Sequence, residues 1–252
     1  MNKRRLFAAL CVLVLAVSTL PLAVISFYNH PYYDDYGFSA GVHHVWKDTG
    51  SLSAVWNAAV ESAKNTRQTW QGTYTGTFLS NLQPGLFSEN LYWTSNVFLI
   101  TALIICMGFF FGTVFEKLGL ERPERVSLAA LALTVMIQFM PDPGEAFYWF
   151  NGGVGNTFIY SLLALAAALT VRLISDRGPA LGKTAALLVL AVLLGGGSYG
   201  GGLFALCMGV CLLGWMLWQK RPKRWHLLAI LIVFVLCFAT ASLLPETACG
   251  RG

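Results

Sequence analysis

Long apolar runs, broad enough to cover every face of a helix, set the strongest limit on how this chain can fold. Seven such segments stand at about 6–27, 94–115, 125–141, 154–174, 183–199, 202–218 and 225–244. They show neither the period-2 alternation of a half-buried strand nor the narrow stripe of a surface helix. Helices built from them are apolar all round, as helices in lipid are. Composition agrees: 12% of the residues are charged, against roughly 25% in a soluble domain. A bilayer core of ~30 Å takes ~20 helical residues. The first, second, fourth and seventh segments reach that length, and the third and fifth are short. The run Gly195-Gly196-Gly197-Ser198-Tyr199-Gly200-Gly201-Gly202 weakens the join between the fifth and sixth. The expected fold is an all-α integral membrane protein of six to seven transmembrane helices, one transmembrane domain over 1–252.

Charge placement favours seven. With the N-terminus inside, all but four of the 17 Lys and Arg fall in inner loops, and only Lys47, Lys64, Arg67 and Arg251 fall outside. This is the positive-inside pattern. Merging the fifth and sixth segments would put Lys220, Arg221, Lys223 and Arg224 on the outer side. The expected location is the cytoplasmic membrane, multi-pass, N-terminus in the cytoplasm. The net charge of +5 is read as topology, not nucleic-acid binding, because the basic residues sit between apolar blocks. The Lys220–Arg224 cluster could also meet lipid phosphates. Met1-Asn2-Lys3-Arg4-Arg5 before the first run resembles a signal sequence. The run is too long and no small-x-small site follows, so an uncleaved signal anchor is expected. Of six cysteines, Cys249 lies in the tail and the others in apolar blocks, with no metal-type spacing.

The one extended polar region is 28–93, expected as an outer-loop subdomain. Within it Ser51–Arg67 reads as a helix, with Trp46, Leu52, Val55, Trp56, Ala59, Val60 and Ala63 recurring on a helical apolar stripe. That helix either lies on the leaflet, its tryptophans at headgroup depth, or packs in a small outer subdomain.

Two outer segments could carry chemistry. Tyr32-Tyr33-Asp34-Asp35-Tyr36-Gly37 places adjacent carboxylates just past the first span, where desolvating them is costly. In an extended segment the two side chains point opposite ways, one to a cleft and one to tie down the loop. The alternative is a solvated acidic turn. Pro141-Asp142-Pro143-Gly144-Glu145-Ala146-Phe147-Tyr148-Trp149-Phe150-Asn151-Gly152-Gly153 joins acids to aromatics and a flexible turn. Ring faces with carboxylates suit a sugar; an interfacial aromatic belt explains the same residues. His43 and His44 near the aspartates match no specific metal spacing. The glycine run lacks the Lys-Ser/Thr of a P-loop.

A first span, an acidic pair in a long outer loop and further spans resemble the GT-C class of membrane glycosyltransferases. A closer likeness is to an uncharacterised family of bacterial multi-pass proteins related to that class. Tyr33-Asp34-Asp35-Tyr36, Trp70-Gln71-Gly72-Thr73-Tyr74-Thr75-Gly76 and Glu145–Gly153 carry it. The resemblance implies transfer of a sugar from a polyprenyl-phosphate donor on the outer face, with Asp34 or Asp35 as acid/base or holding a divalent metal. It implies substrate contacts from Glu145, Tyr148, Trp149, Asn151 and Trp70, and membrane lipids and the lipid-linked donor as partners. The class usually has more spans. Here Pro245-Glu246-Thr247 stands where the family tends to show Pro-Gly-Asn and then an Arg. A one-base shift converts CCG-GAA-ACG to CCC-GGA-AAC, so a truncated, inactive member is also expected from this likeness. Two other functions compete. A transporter or flippase component places ionisable groups in mid-span, and the apolar segments here carry almost none. A non-catalytic scaffold subunit is the third.

Overall fold

The structure is a computed structural model that describes residues 3–243. The Pro245–Thr247 reading, Glu246, Cys249 and Arg251 lie outside the described residues. Among those described, every regular element is helical.

All seven apolar segments form helices. The elements are α1 Lys3–Ser26, α2 Asp35–Thr49, α3 Leu52–Thr69, α4 Tyr74–Ser80, α5 Trp93–Lys117, α6 Arg122–Gln138, α7 Phe150–Gly153, α8 Ile159–Ser175, α9 Leu181–Gly195, α10 Tyr199–Trp218 and α11 Arg224–Ser242. Five helical stretches are long and apolar enough to cross a membrane: Lys3–Ser26, Glu89–Lys117, Phe150–Ser175, Tyr199–Trp218 and Arg224–Ser242. The chain is therefore a multi-pass membrane protein by length and composition. The other two apolar segments give α6, 17 residues, and α9, 15 residues, near ~25 Å and ~22 Å at 1.5 Å per residue. Both run beside the longer helices: α6 packs on α1 and α5, α9 on α8 and α11.

Cross-contacts divide the bundle into two ends. At the basic end, Glu116 on α5 pairs with Arg125 at 2.6 Å and Arg172 at 3.3 Å. Asp176 pairs with Lys117 at 2.7 Å and Lys183 at 3.2 Å, and Arg4 with Glu121 and Glu124. Lys223 donates to the Asp176 carbonyl. The hydrogen bond from Lys117, then that from Lys183, holds the Asp176 carboxyl down to about 2 despite some opposing burial. The loop end gathers 27–92, 139–158, 196–201 and the end of α11.

Three details position the loop end. First, α2 and α3 form a hairpin, turned by Gly50 in the left-handed region at φ 58. Its core is Val42, Val55, Ala59 and Leu86, with Trp46, Phe78 and Phe87 against it. The apolar stripe of the Ser51–Arg67 reading thus packs inward, although Leu52 and Trp56 remain exposed. Second, residues 72–76 wedge against the end of α9. Tyr74 donates to the Val192 carbonyl at 2.6 Å and the Thr75 N–H to Gly196 at 2.9 Å, satisfying carbonyls that a helix end leaves open. A Cβ on Gly196 would run into the Tyr74 ring, and one on Gly72 into the Ala241 backbone. Third, Gly144–Tyr148 and Val154–Phe158 are π-helical turns flanking α7, a wide geometry common where a site must be built.

Candidate functional site

The two motif segments meet at the loop end. Asp34 stands at the N-cap of α2, where a carboxylate ordinarily accepts from its own helix. It makes no such bond. It reaches across instead: Oδ1 accepts from the Trp149 indole N–H at 2.9 Å and Oδ2 from the Asn151 side-chain amide at 2.8 Å. Tyr33, just before it, adopts φ 54, a left-handed conformation that costs a non-glycine residue roughly 1–3 kcal/mol. Its ring meets Trp149 edge-on at 5.9 Å.

Asp35 is 1% exposed. It accepts from the Tyr92 hydroxyl at 2.5 Å, the Asn151 N–H at 2.9 Å and the Tyr32 N–H at 3.3 Å. Burial raises its pKa above the ordinary aspartate value, against the lowering effect of these donors. Tyr92 also accepts from the Phe150 N–H at 3.1 Å. Asn151 completes the join by accepting from Ser80 on α4 at 2.5 Å. Asn29 donates to the Tyr148 carbonyl at 2.7 Å and to Asn96 at 3.0 Å. Tyr148 donates to the Leu22 carbonyl at 2.9 Å.

Above this network lies a cleft of about 570 Å³, lined by Asn29, His30, Tyr32, Tyr33, Asp142, Gly144, Glu145, Tyr148 and Trp149. A second cavity, a groove of about 310 Å³, runs over α5 between α6 and α8. Leu103, Met107, Met136, Met140, Ala146, Asn156, Thr157 and Tyr160 line it, again with Asp142 and Glu145. The two acids therefore stand between an aromatic, polar cleft and an apolar groove. Asp142 accepts from the Glu145 N–H at 3.0 Å, which fixes the turn carrying both. One open cleft and one groove joined by carboxylates can hold a molecule with a polar head and an apolar chain.

Of the residues singled out in the sequence, Glu145, Tyr148 and Trp149 line the cleft. Asn151 and Asp35 lie in the layer below, and Asp34 lies at the edge, half-buried between Tyr33 and Trp149. Trp70 stands apart at the end of α3, its ring stacked on Phe38 at 5.9 Å. His43 Nδ1 meets the Leu86 carbonyl at 2.6 Å. Among the described residues no three His, Cys, Asp or Glu side chains gather as a metal site. Sequence reasoning missed Asn29, His30, Ser80, Tyr92 and the polar pair Asn156 and Thr157 at the groove. The signal available was polar residues at the start or end of apolar blocks, where a lipid-facing helix has no need of them.

Compared with protein-family models, curated proteins and solved structures, the chain matches none.

Proposed function

We propose that this protein acts on a lipid-linked sugar at the outer face of the cytoplasmic membrane, as a glycosyltransferase-like enzyme. The observation that carries the reading is that Asp142 and Glu145 line both the aromatic cleft and the apolar groove. The chain of a polyprenyl-phosphate donor enters the groove from the bilayer, and its sugar reaches the cleft, where ring faces stack on it and carboxylates accept from its hydroxyls. All seven long apolar segments cross in this reading, the N-terminus inside. The acids that lie at the basic end are all paired there, whereas Glu145 is exposed at the loop end.

Asp34 is the proposed proton acceptor. It lies against the cleft residue Trp149, and each of its oxygens accepts one of the two hydrogen bonds from Trp149 and Asn151 and can accept a second. Drawing the proton from an acceptor hydroxyl as it attacks the anomeric carbon, while the anomeric C–O bond to the phosphate breaks and polyprenyl phosphate leaves, is general-base chemistry. Asp35, closed off below, is a positioning residue. The test is transfer from a labelled polyprenyl-phosphate sugar in proteoliposomes. Asp34→Asn is expected to lower kcat by roughly 10²–10⁴-fold with the protein still folded in the membrane. Unchanged transfer by Asp34→Asn, or no transfer by the wild type with any such donor, contradicts the proposal.

A further inference from the structure

The charge of the cleft selects among headgroups, on the reading just given that one amphiphile fills both cavities. Asp142 and Glu145 line it, and among the described residues no Lys or Arg does. The Glu145 carboxylate is exposed and unpaired among those residues. The cleft rings are Tyr32, Tyr33, Tyr148 and Trp149. Trp149 is set before any ligand arrives: Asp34 holds its indole N–H at 2.9 Å, and the Tyr33 edge abuts it. Gly152 packs so close to its six-membered ring that a Cβ would overlap it.

Fixed ring faces together with free carboxylates are the chemistry that recognises an ammonium group. A bare phosphate or sulfate would meet two carboxylates, with the His30 imidazole as the one basic side chain lining the cleft among the described residues. We infer that the headgroup taken by this cleft carries a protonated amine, so that the lipid-linked sugar is an amino sugar. The ammonium lies among Glu145, Asp142 and the Trp149 ring. It also offsets the charge of a phosphate joining sugar to chain, which passes the same two acids.

Native mass spectrometry of the full chain in detergent at about pH 8, where free imidazole is neutral and an alkylamine charged, tests this. The probes are dodecylammonium, dodecyl glucoside and dodecyl phosphate, the last with and without magnesium. Dodecylammonium is expected to bind roughly tenfold more tightly than dodecyl glucoside. Glu145→Gln, at an exposed and unpaired position, is expected to abolish most of that preference; its amide oxygen still accepts from a hydroxyl, so dodecyl glucoside binding falls far less than dodecylammonium binding. Trp149→Phe, which loses the Asp34 anchor, is expected to weaken both. Equal binding of glucoside and ammonium, with Trp149 still required, overturns the amine inference and leaves the sugar reading standing. Tightest binding of dodecyl phosphate overturns it too, and a magnesium requirement would then point to a metal-bridged phosphate. An amine preference in a protein that transfers no sugar upholds the inference and removes the glycosyltransferase reading.

Discussion

Asn151 directs its backbone N–H to Asp35, its side-chain amide to Asp34 and its side-chain carbonyl to Ser80, so three segments depend on one residue. Asn151→Ala takes the donor from Asp34 Oδ2 and one of two acceptors from Ser80, whose bond to the Gly76 carbonyl remains, and is expected to cost about 1–3 kcal/mol, read as a lower Tm in detergent. Asp35→Asn has a different signature. Asparagine offers one acceptor oxygen and turns its NH2 toward either the Tyr92 hydroxyl or the Asn151 N–H, which meet different oxygens of Asp35, so it is expected to destabilise by a similar amount. It also changes the pH dependence. Because burial raises the Asp35 pKa in the fold, the native state holds the proton to higher pH than the unfolded chain. Wild-type stability therefore falls as pH rises from the ordinary aspartate value through the raised one. Stability curves of wild type and Asp35→Asn are expected to converge with rising pH over that range; parallel curves would contradict the assignment. The acidic pair was legible in the sequence, although the extended segment expected to hold it is instead the start of α2, with Asp34 in the right-handed helical region at φ −82 and ψ −2. Their partners were not, because Tyr92 stands 57 residues from Asp35 and Asn151 stands 117 from Asp34, and no local pattern spans such separations.

Elements divide along the same line. All seven apolar segments are helices, since apolar length alone dictates a helix in lipid, and the Ser51–Arg67 stripe is α3. No comparable pattern marks α2, whose Gly37, Gly41, His43 and His44 carry little helix propensity. Val42 packed against Val55, Ala59 and Leu86 sustains it, which is tertiary support. Likewise the glycine run reads in sequence as a weak join. In the structure it is a socket: Tyr74 seats against Gly196, Ile159 against Gly197 and Phe238 against Gly202. Gly196→Ala places a methyl on the Tyr74 ring and is expected to displace α4 and destabilise by about 1–3 kcal/mol. Tyr74→Phe, which keeps the ring and loses only the bond to Val192, is expected to cost about 1 kcal/mol. Thermal unfolding of both variants checks the order. A Tyr74→Phe loss larger than that of Gly196→Ala would mean the hydroxyl, not the fit, holds the socket.

At the scale of the whole molecule, the two ends differ in how they treat charge. The basic end ties its acids into ion pairs, and the loop end leaves Glu145 free beside a cavity. The pH response of the basic end runs opposite to that of Asp35. The lysine partners depress the Asp176 pKa to about 2, so its contribution is complete above the ordinary aspartate value and disappears as pH falls toward 2. Asp176→Asn is expected to remove that part of the acid sensitivity, seen as a flatter stability profile at low pH.

The claim beneath all of this is that the helices alternate through the bilayer so that the cleft faces outward. Single cysteines at Trp56, Glu145, Arg177 and Gln219, in a chain freed of its native cysteines, test it directly with a membrane-impermeant maleimide on intact spheroplasts. Labelling of Trp56→Cys and Glu145→Cys from outside, with Arg177→Cys and Gln219→Cys labelled only after the membrane is opened, is the predicted result. Outside labelling at Arg177 or Gln219, or protection of Glu145 until the membrane is opened, would contradict it.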